Sequence, residues 1–150
     1  MIVGFTGTQH GMTKAQRAAF RRLVLELGVT TFHHGDCVGS DAQAHNTVRK
    51  HTTAKLVIHP PSNESKRAFS KYATFTYKAA PYLERNRNIV NRCQLLVATP
   101  GGMSEELRSG TWFTVRYARK IKRPIVLVYP DGTTEKVAGS NTDPLHELRQ

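Results

Sequence analysis

Two short runs of apolar residues without polar alternation constrain the fold of this chain most. They are Leu95–Ala98 and Ile125–Val128, and each follows a segment with the pattern of a helix. A strand that is apolar on both faces has to be covered on both, and a parallel sheet between two layers of helices does this. The two runs therefore predict an α/β fold.

Predicted strands and helices alternate along the first 129 residues. Thr13 and Gln16 form a capping box before an amphipathic segment that ends at Gly28, which predicts a helix over 14–27. The remaining pattern predicts strands at 2–6, 29–33, 55–59, 94–99 and 125–129, and helices from 41 onward, at 83–93 and at 110–122. We expect a Rossmann-like open parallel sheet of about five strands with helices on both faces. Residues 62–81 show no clear period and are expected to form a long loop.

The length of 150 residues fits a single domain, with a core over about 2–129 and a polar C-terminal tail over 130–150. No apolar run approaches the roughly 18 residues that a membrane span needs, and the N-terminus lacks the pattern of a signal peptide. Cys37 and Cys93 lie far apart and predict structural thiols. We expect a cytoplasmic protein without a membrane partner.

The chain is strongly basic. It has 22 Lys and Arg residues against 11 Asp and Glu residues, which gives a formal net charge of +11. Between Lys66 and Arg123 there are 13 basic residues and three acidic ones. A charge surplus of this size favours an anionic partner but does not identify it.

Three loops rich in glycine and hydroxyl groups follow predicted strands. In an open parallel sheet, ligands bind beyond the carboxyl ends of the strands where the strand order reverses. Glycine lets backbone N–H groups approach a phosphate closely, and helix N-termini favour anions. The candidate phosphate-binding residues in these loops are Gly7, Thr8, Gln9, Gly35, Asp36, Gly39, Ser40, Asp41, Pro100, Gly101 and Gly102.

Several common sites are not encoded. The chain has no Walker-type phosphate loop and no G-x-G-x-x-G after the first strand, so neither a nucleoside triphosphatase nor a NAD enzyme is expected. The histidines around Asp41 match no zinc spacing, and Ser40 lies in no nucleophile elbow. We therefore expect no metal and no cofactor.

The segment Arg85–Asn86–Arg87 is a candidate clamp for the ligand. A guanidinium can donate two parallel hydrogen bonds to two oxygens of one phosphate, and an amide can bind a ribose hydroxyl or a base edge. The alternative is a solvated helix face.

Taken together, several motifs resemble known families. Residues 35–45, Gly-Asp-Cys-Val-Gly-Ser-Asp-Ala-Gln-Ala-His, resemble a glycine-rich turn of the DNA-processing protein A family. Arg85–Asn86–Arg87 with Ile89, and Ser109–Gly110–Thr111 with Thr114, resemble two further segments of that family. Pro100–Gly101–Gly102 is similar to part of the signature of the LONELY GUY phosphoribohydrolases. Both families belong to the SLOG superfamily of Rossmann-like domains.

The resemblance covers about residues 2–129 and implies where a ligand binds. It places the first and fourth predicted strands at a ligand crevice and adds Ser109, Gly110 and Thr111 to the candidate site. Members of this superfamily bind nucleotides, nucleotide-derived signals or single-stranded DNA. We therefore expect a nucleotide or a nucleotide-derived molecule as the partner, and single-stranded nucleic acid is the second alternative.

Whether the chain is an enzyme depends on a carboxylate. Cleavage of an N-glycosidic bond needs one near the oxocarbenium-like centre. Aligning Gly110–Thr111 with the hydrolase signature puts Thr114 at the glutamate position. This favours binding over catalysis, and a nucleoside-phosphate N-glycosidase with a displaced carboxylate is the first alternative. The candidate carboxylates are Glu105, Glu106, Asp36 and Asp41, and a homo-oligomer could complete the pocket.

Overall fold

The computed structural model describes residues 1–139, which form one mostly parallel sheet with helices on both faces. The strands are β1 (Ile2–Gly7), β2 (Thr31–His34), β3 (Lys55–Ile58), β4 (Phe75–Thr76), β5 (Leu95–Thr99), β6 (Ile125–Val128) and β7 (Thr134–Val137). The helices are α1 (Lys14–Leu27), α2 (Ser40–His51), α3 (Tyr82–Asn91) and α4 (Gly110–Lys120), with a 3₁₀ turn at Glu64–Lys66. The predicted Rossmann-like α/β class is confirmed.

The sheet has seven strands, so the expectation of about five was wrong in number. The strand order is β4-β3-β2-β1-β5-β6-β7. The two additional strands are the edges: β4 has only two residues, both exposed, and β7 pairs antiparallel with β6. Most residues of β7 are exposed, so it lacks the apolar pattern that identifies the inner strands. It lies in the first part of the predicted polar tail, and residues 140–150 of that tail lie outside the described residues.

The strand order reverses beside β1. This strand pairs in parallel with β2 on one side and with β5 on the other, and Gly7 lies opposite Thr99 at the carboxyl ends of β1 and β5. Because β1, β2 and β5 run in the same direction, the loops that follow them meet at one edge of the sheet. The predicted meeting of the first strand with the strand at residues 95–99 is confirmed.

Each face of the sheet has its own apolar core. On one face Phe5, Phe20 and Phe32 pack together, with ring centroids 5.3 to 6.0 Å apart. On the other face Val90 and Trp112 pack with residues of β5 and β6. The inner strands are thereby buried on both sides, as their apolar runs predict.

The start and end of α1 follow from its sequence. Thr13 and Gln16 form the reciprocal capping box, and Gly28 ends the helix with a φ of 60°. Helix α1 carries the apolar side chains that cover one face of the sheet. Within residues 1–139, no helix has the length and apolar character needed to cross a membrane.

Candidate functional site

A cleft of about 310 Å³ opens where the loop after β1 meets the start of α4. We call it the carboxyl-end cleft, because it lies beyond the carboxyl end of β1. Its lining residues are Gly7, Thr8, Gln9, His10, Tyr82, Glu106, Arg108, Ser109, Gly110 and Thr111. The structure thus brings six of the predicted ligand-binding residues together: three from the loop after β1 (residues 7–9) and three from the start of α4 (residues 109–111).

The first turn of α4 offers backbone donors to this cleft. The Ser109 side chain caps the helix by accepting a hydrogen bond of 3.2 Å from the Trp112 backbone N–H. The N–H groups of Gly110 and Thr111 belong to the first turn and have no acceptor inside the helix. Both residues line the cleft, where the positive end of the helix dipole favours an anion.

Besides Tyr82, three charged or titratable side chains line the carboxyl-end cleft. His10 and Arg108 are exposed and bring positive charge or hydrogen-bond donors, and Glu106 is the carboxylate among the lining residues. Glu105 faces elsewhere, because Arg119 and Arg116 bind its oxygens at 2.9 and 3.1 Å. Hydrogen bonds from these two arginines lower the pKa of Glu105.

A smaller cavity of about 20 Å³, large enough for one water molecule, lies beneath the carboxyl-end cleft. Gly7, Tyr82, Gly110 and Thr111 line both spaces. The hydroxyl of Tyr82 contacts the Cys37 sulfur at 3.7 Å, and burial raises the pKa of Tyr82 to about 12. The other lining residues of this inner cavity are Phe5, Thr6, Gly35, Cys37, Asp41, Arg85, Asn86 and Ile89.

Asp41 is the carboxylate that lines the inner cavity. It is 6% exposed and accepts a hydrogen bond of 3.1 Å from the Cys37 backbone N–H. Burial raises the pKa of Asp41 to about 6, although the positive charge of Arg85 opposes the shift. A buried carboxyl that titrates near neutral pH is suited to proton transfer or to a switchable hydrogen bond.

Arg85 is buried, and its guanidinium is committed to groups of the protein. It donates to the carbonyl oxygens of Gly35 and His59 and to the Asn86 side chain, at 3.1 Å for His59 and 2.8 Å for Asn86. Gly35 and His59 directly follow β2 and β3, so Arg85 joins the carboxyl ends of both strands to α3. Arg87 is exposed and lies near the Phe113 ring, 5.9 Å from its centre.

Asp36 lies away from the carboxyl-end cleft. Its carboxylate is fully buried, bound at 3.0 Å by Arg67 and at 2.9 Å by the backbone N–H of Ser70. Asp36 was predicted as a ligand-binding residue and as a candidate carboxylate, but it does not line the cleft with the other predicted residues.

Two glycines let the loops approach each other closely. Gly39 has a φ of 86°, and a Cβ there would overlap the carbonyl oxygen of Gln9. The adjacent Ser40 N–H donates to the Thr8 carbonyl oxygen at 3.0 Å. A Cβ at Gly7 would collide with Thr99 and Ser40, whose buried hydroxyl oxygens have no hydrogen-bond partner among residues 1–139.

The loop after β5 does not line the cleft, but it lies next to two residues that do, Thr8 and Glu106. A Cβ at Gly101 would lie 3.2 Å from the Thr8 side chain, and one at Gly102 would lie 3.5 Å from the Glu106 carboxylate. The Pro100 carbonyl oxygen accepts a hydrogen bond from Gln16. Thr114 is buried, and its hydroxyl donates to the Gly110 carbonyl oxygen at 2.9 Å.

Sequence reasoning did not identify Tyr82, His10 and Arg108 as site residues. His10 lies between Gly7 and Gly11 in the loop after β1, and Arg108 directly precedes the Ser109 cap. Tyr82 begins α3 immediately after the segment without clear periodicity. Among residues 1–139, no group of three or more His, Cys, Asp or Glu side chains is arranged to hold a metal ion.

Comparison with known proteins gives structural relatives. No protein-family model and no curated protein matches the chain. The molybdenum cofactor binding protein from Rippkaea orientalis is similar in structure, with a TM-score of 0.66 and 22% identity over 85% of this chain and 76% of that one.

Two further solved structures share the architecture. DNA processing protein A from Streptococcus pneumoniae has a TM-score of 0.63 and 18% identity over 99% of this chain, which spans only 56% of that protein. The structural genomics target TM1055 has a TM-score of 0.58 and 18% identity over 82% of this chain and 71% of that one. The resemblance that the motifs predicted is thereby confirmed at the level of the fold: the chain shares the Rossmann-like architecture of these three proteins, DNA processing protein A among them.

Proposed function

We propose that the carboxyl-end cleft binds a nucleotide or a nucleotide-derived small molecule. The observation that carries the proposal is the position of the first turn of α4. Its Gly110 and Thr111 line a cleft beside the point where the strand order reverses, and their N–H groups have no acceptor inside the helix. An anionic group such as a phosphate would accept hydrogen bonds from these donors.

The other features of the cleft agree with such a ligand. A volume of about 310 Å³ is within the usual range for small-molecule sites. Arg108 and His10 supply positive charge or donors on the two sides of the cleft, and the backbone from Gly7 to Gln9 supplies further polar groups. One structural relative is named a molybdenum cofactor binding protein, which supports small-molecule binding by this type of fold.

Catalysis of N-glycosidic cleavage is the second candidate, because Glu106 lines the cleft. The residue at the expected glutamate position, Thr114, is buried and donates its hydroxyl to the Gly110 carbonyl oxygen. A hydroxyl cannot ionise near neutral pH to stabilise a developing cation. We therefore favour binding, with Glu106 as the carboxylate that a hydrolase would use. Release of free base from nucleoside monophosphates, abolished by Glu106→Gln, would establish the enzyme instead.

Isothermal titration calorimetry with the four common ribonucleoside monophosphates tests the binding proposal. Arg108→Ala should weaken the best ligand by about 10- to 100-fold, the usual effect of one charge-assisted hydrogen bond. Arg21→Ala removes an equal charge from the exposed face of α1 and should leave the affinity unchanged. Equal losses in both variants, or no binding by the parent protein, would contradict the proposal.

We also propose that the protein is a homo-oligomer, because a second subunit could add residues to the open side of the cleft. Native mass spectrometry of the purified protein reads the subunit number and any nucleotide carried through purification in one experiment. A single subunit mass at micromolar concentration would contradict the oligomer.

A further inference from the structure

A pocket of about 370 Å³ lies between α3 and the residues that follow β3 and β4, and we call it the α3 pocket. His59 and the segment 77–81 form one part of its lining. Helix α3 contributes the polar side chains of the other part, which are Glu84, Arg85, Asn88 and Arg92. The α3 pocket shares no lining residue with the carboxyl-end cleft, so the two are separate spaces.

Hydrogen bonds to the end of β3 hold both parts of this lining in place. The Tyr77 N–H donates to the Ile58 carbonyl oxygen at 3.0 Å, and the Ala80 N–H donates to that of Pro60 at 3.2 Å. From α3, Arg85 binds the carbonyl oxygen of the residue that follows β3, at 3.1 Å. A ligand would therefore not have to order the walls of the pocket before it binds.

The ring of Tyr77 is in contact with three groups of the protein. It stacks on the His59 ring, with centroids 4.5 Å apart and an angle of 17° between the planes, and it meets the Phe75 ring edge to face at 4.7 Å. The guanidinium of Arg92 lies over the same ring, 4.5 Å from its centre. These contacts use the Tyr77 ring to position Arg92 rather than to stack on a ligand.

Arg92 is placed to bind an oxyanion. It is exposed and takes part in none of the ion pairs formed among residues 1–139. The N–H groups of a guanidinium lie in its plane, so contact with the face of a ring leaves them free to donate to two oxygens of one anion. The ring of Tyr77 also restricts the side chain in advance, which lowers the entropy cost of binding.

The α3 pocket has an excess of positive charge. Lys78, Arg85 and Arg92 line it, and Glu84 is the carboxylate among the lining residues. Arg85 donates its hydrogen bonds inside the protein and so contributes its charge. Three positive charges against one negative charge favour a ligand with two negative charges.

The field of these cations reaches His59, which is 3% exposed. Burial is the main reason why the pKa of His59 falls to about 3, and the charges of His33, Arg92 and Arg85 lower this pKa further. An anion in the pocket would offset part of this repulsion. The His59 ring therefore reports whether the pocket is occupied.

We propose that the α3 pocket binds a small dianion without an aromatic ring, such as a phosphate ester or a dicarboxylate. Arg92 donates paired hydrogen bonds to the oxygens of one anionic group, and Lys78 neutralises the second charge. The volume of the pocket lies within the usual range for small-molecule sites. A nucleotide would gain no stacking from Tyr77. This is a second site, beyond the nucleotide binding proposed for the carboxyl-end cleft.

Isothermal titration calorimetry with glycerol 3-phosphate and with succinate tests the class of ligand, at about pH 7.5, where a phosphate monoester is doubly ionised. At least one of the two should bind saturably, and the tighter one identifies the anionic group. Acetate, a monoanion, should bind at least about 10-fold more weakly. No saturable binding of either dianion, or equally tight binding of acetate, would overturn the proposal.

Three variants at exposed positions test the residues. Arg92→Ala should weaken the better dianion by about 10- to 100-fold, and Arg92→Lys should restore only part of the affinity, because it keeps the charge but not the paired donors. Glu84→Gln should strengthen binding by about 2- to 5-fold, since it removes an exposed like charge. Arg21→Ala is the charge-matched control and should have no effect. Equal effects of Arg92→Ala and Arg21→Ala, or weaker binding by Glu84→Gln, would contradict the proposal.

NMR of the histidine rings locates the bound dianion. The ring signals of His33 and His59 should shift saturably, with the affinity that calorimetry gives. His10 lines the carboxyl-end cleft and reports binding there, and the exposed His51 reports diffuse ionic effects. Shifts at His10 without shifts at His59 would place the dianion in the cleft, which overturns this proposal and leaves the nucleotide site intact. Equal shifts at His51 and His59 would also overturn it.

Discussion

Arg85 donates a hydrogen bond to the carbonyl oxygen of Gly35, fifty residues earlier in the chain. The same guanidinium binds the carbonyl oxygen of His59, so one side chain of α3 fixes the ends of two neighbouring strands. Its positive charge also lies near the buried Asp41 carboxyl, whose pKa it lowers against the larger effect of burial. Within the described structure, Arg85 positions the loops of the site, and it donates four hydrogen bonds to Gly35, His59, Asn86 and the Cys37 sulfur.

Replacing Arg85 should therefore cost stability. Arg85→Met keeps most of the apolar volume but leaves two buried carbonyl oxygens without donors, which should lower the free energy of unfolding by about 3 kcal/mol or more. Arg87→Ala, on the exposed face of the same helix, should change it by less than about 0.5 kcal/mol. Urea unfolding measures both values. Similar values for the two variants would show that Arg85 does not hold the strand ends.

Asp41 should make stability depend on pH. Its pKa is about 6 in the folded protein and 3.8 in the reference state, so the folded state binds more protons in between, and its stability falls as pH rises through this window. Asp41→Asn removes this loss while an amide oxygen can still accept from Cys37. The free energy of unfolding of the variant, relative to that of the parent, should therefore rise by up to about 3 kcal/mol between pH 4 and pH 7. A difference that does not vary with pH would contradict the buried, titrating carboxyl.

The buried pair His33 and His59 should have the opposite effect on stability, which they should lower as the pH falls. Their rings share a hydrogen bond of 2.8 Å, and burial lowers the pKa of His33 to about 4 and that of His59 to about 3. The unfolded chain binds protons first as pH falls below about 6.5, so this contribution to stability is lost on acidification. Urea unfolding at pH 7 and at pH 4 measures this loss of stability, and His59→Gln should make the loss smaller. His51→Gln, at an exposed position, should not, and an equal effect of the two changes would refute the assignment.

The approach of two loops at Gly39 gives a further prediction. Gly39→Ala places a Cβ against the Gln9 carbonyl oxygen in a left-handed conformation, and we expect it to destabilise the fold by about 1–3 kcal/mol. At Gly102 the added carbon would make an ordinary contact of 3.5 Å, so Gly102→Ala should be nearly neutral. Thermal unfolding compares the two variants. A neutral Gly39→Ala would mean that the loops can separate without cost.

The inner strands and α1 could be predicted because their signals are local. The apolar runs of β5 and β6 and the capping box at Thr13 act within a few residues. Strands β4 and β7 were missed because they are short or exposed and are defined by pairing with β3 and β6 across the fold. Such pairing leaves no periodicity in the sequence.

The candidate site could likewise be predicted only in part from the sequence. The meeting of the loops after β1 and β5 follows from the alternation of strands and helices, so Gly7 and Thr8 could be placed. The burial of Asp36 and Arg85 could not be predicted, because a charged residue in a loop or on a helix has the same sequence signal whether it faces a ligand or an internal partner. Their partners, Arg67 and Gly35, lie 31 and 50 residues away in the chain.

Amide NMR of the isotope-labelled protein titrated with adenosine monophosphate tests most directly whether the carboxyl-end cleft binds the nucleotide. We predict saturable shifts at the N–H groups of Gly7, Thr8, Gly110 and Thr111, because these groups line the cleft or its floor. The amide signals of residues 68–72, which lie beside α2 and outside the cleft, should not shift. Shifts centred on 68–72, or no saturable shift with any of the four monophosphates, would contradict the account.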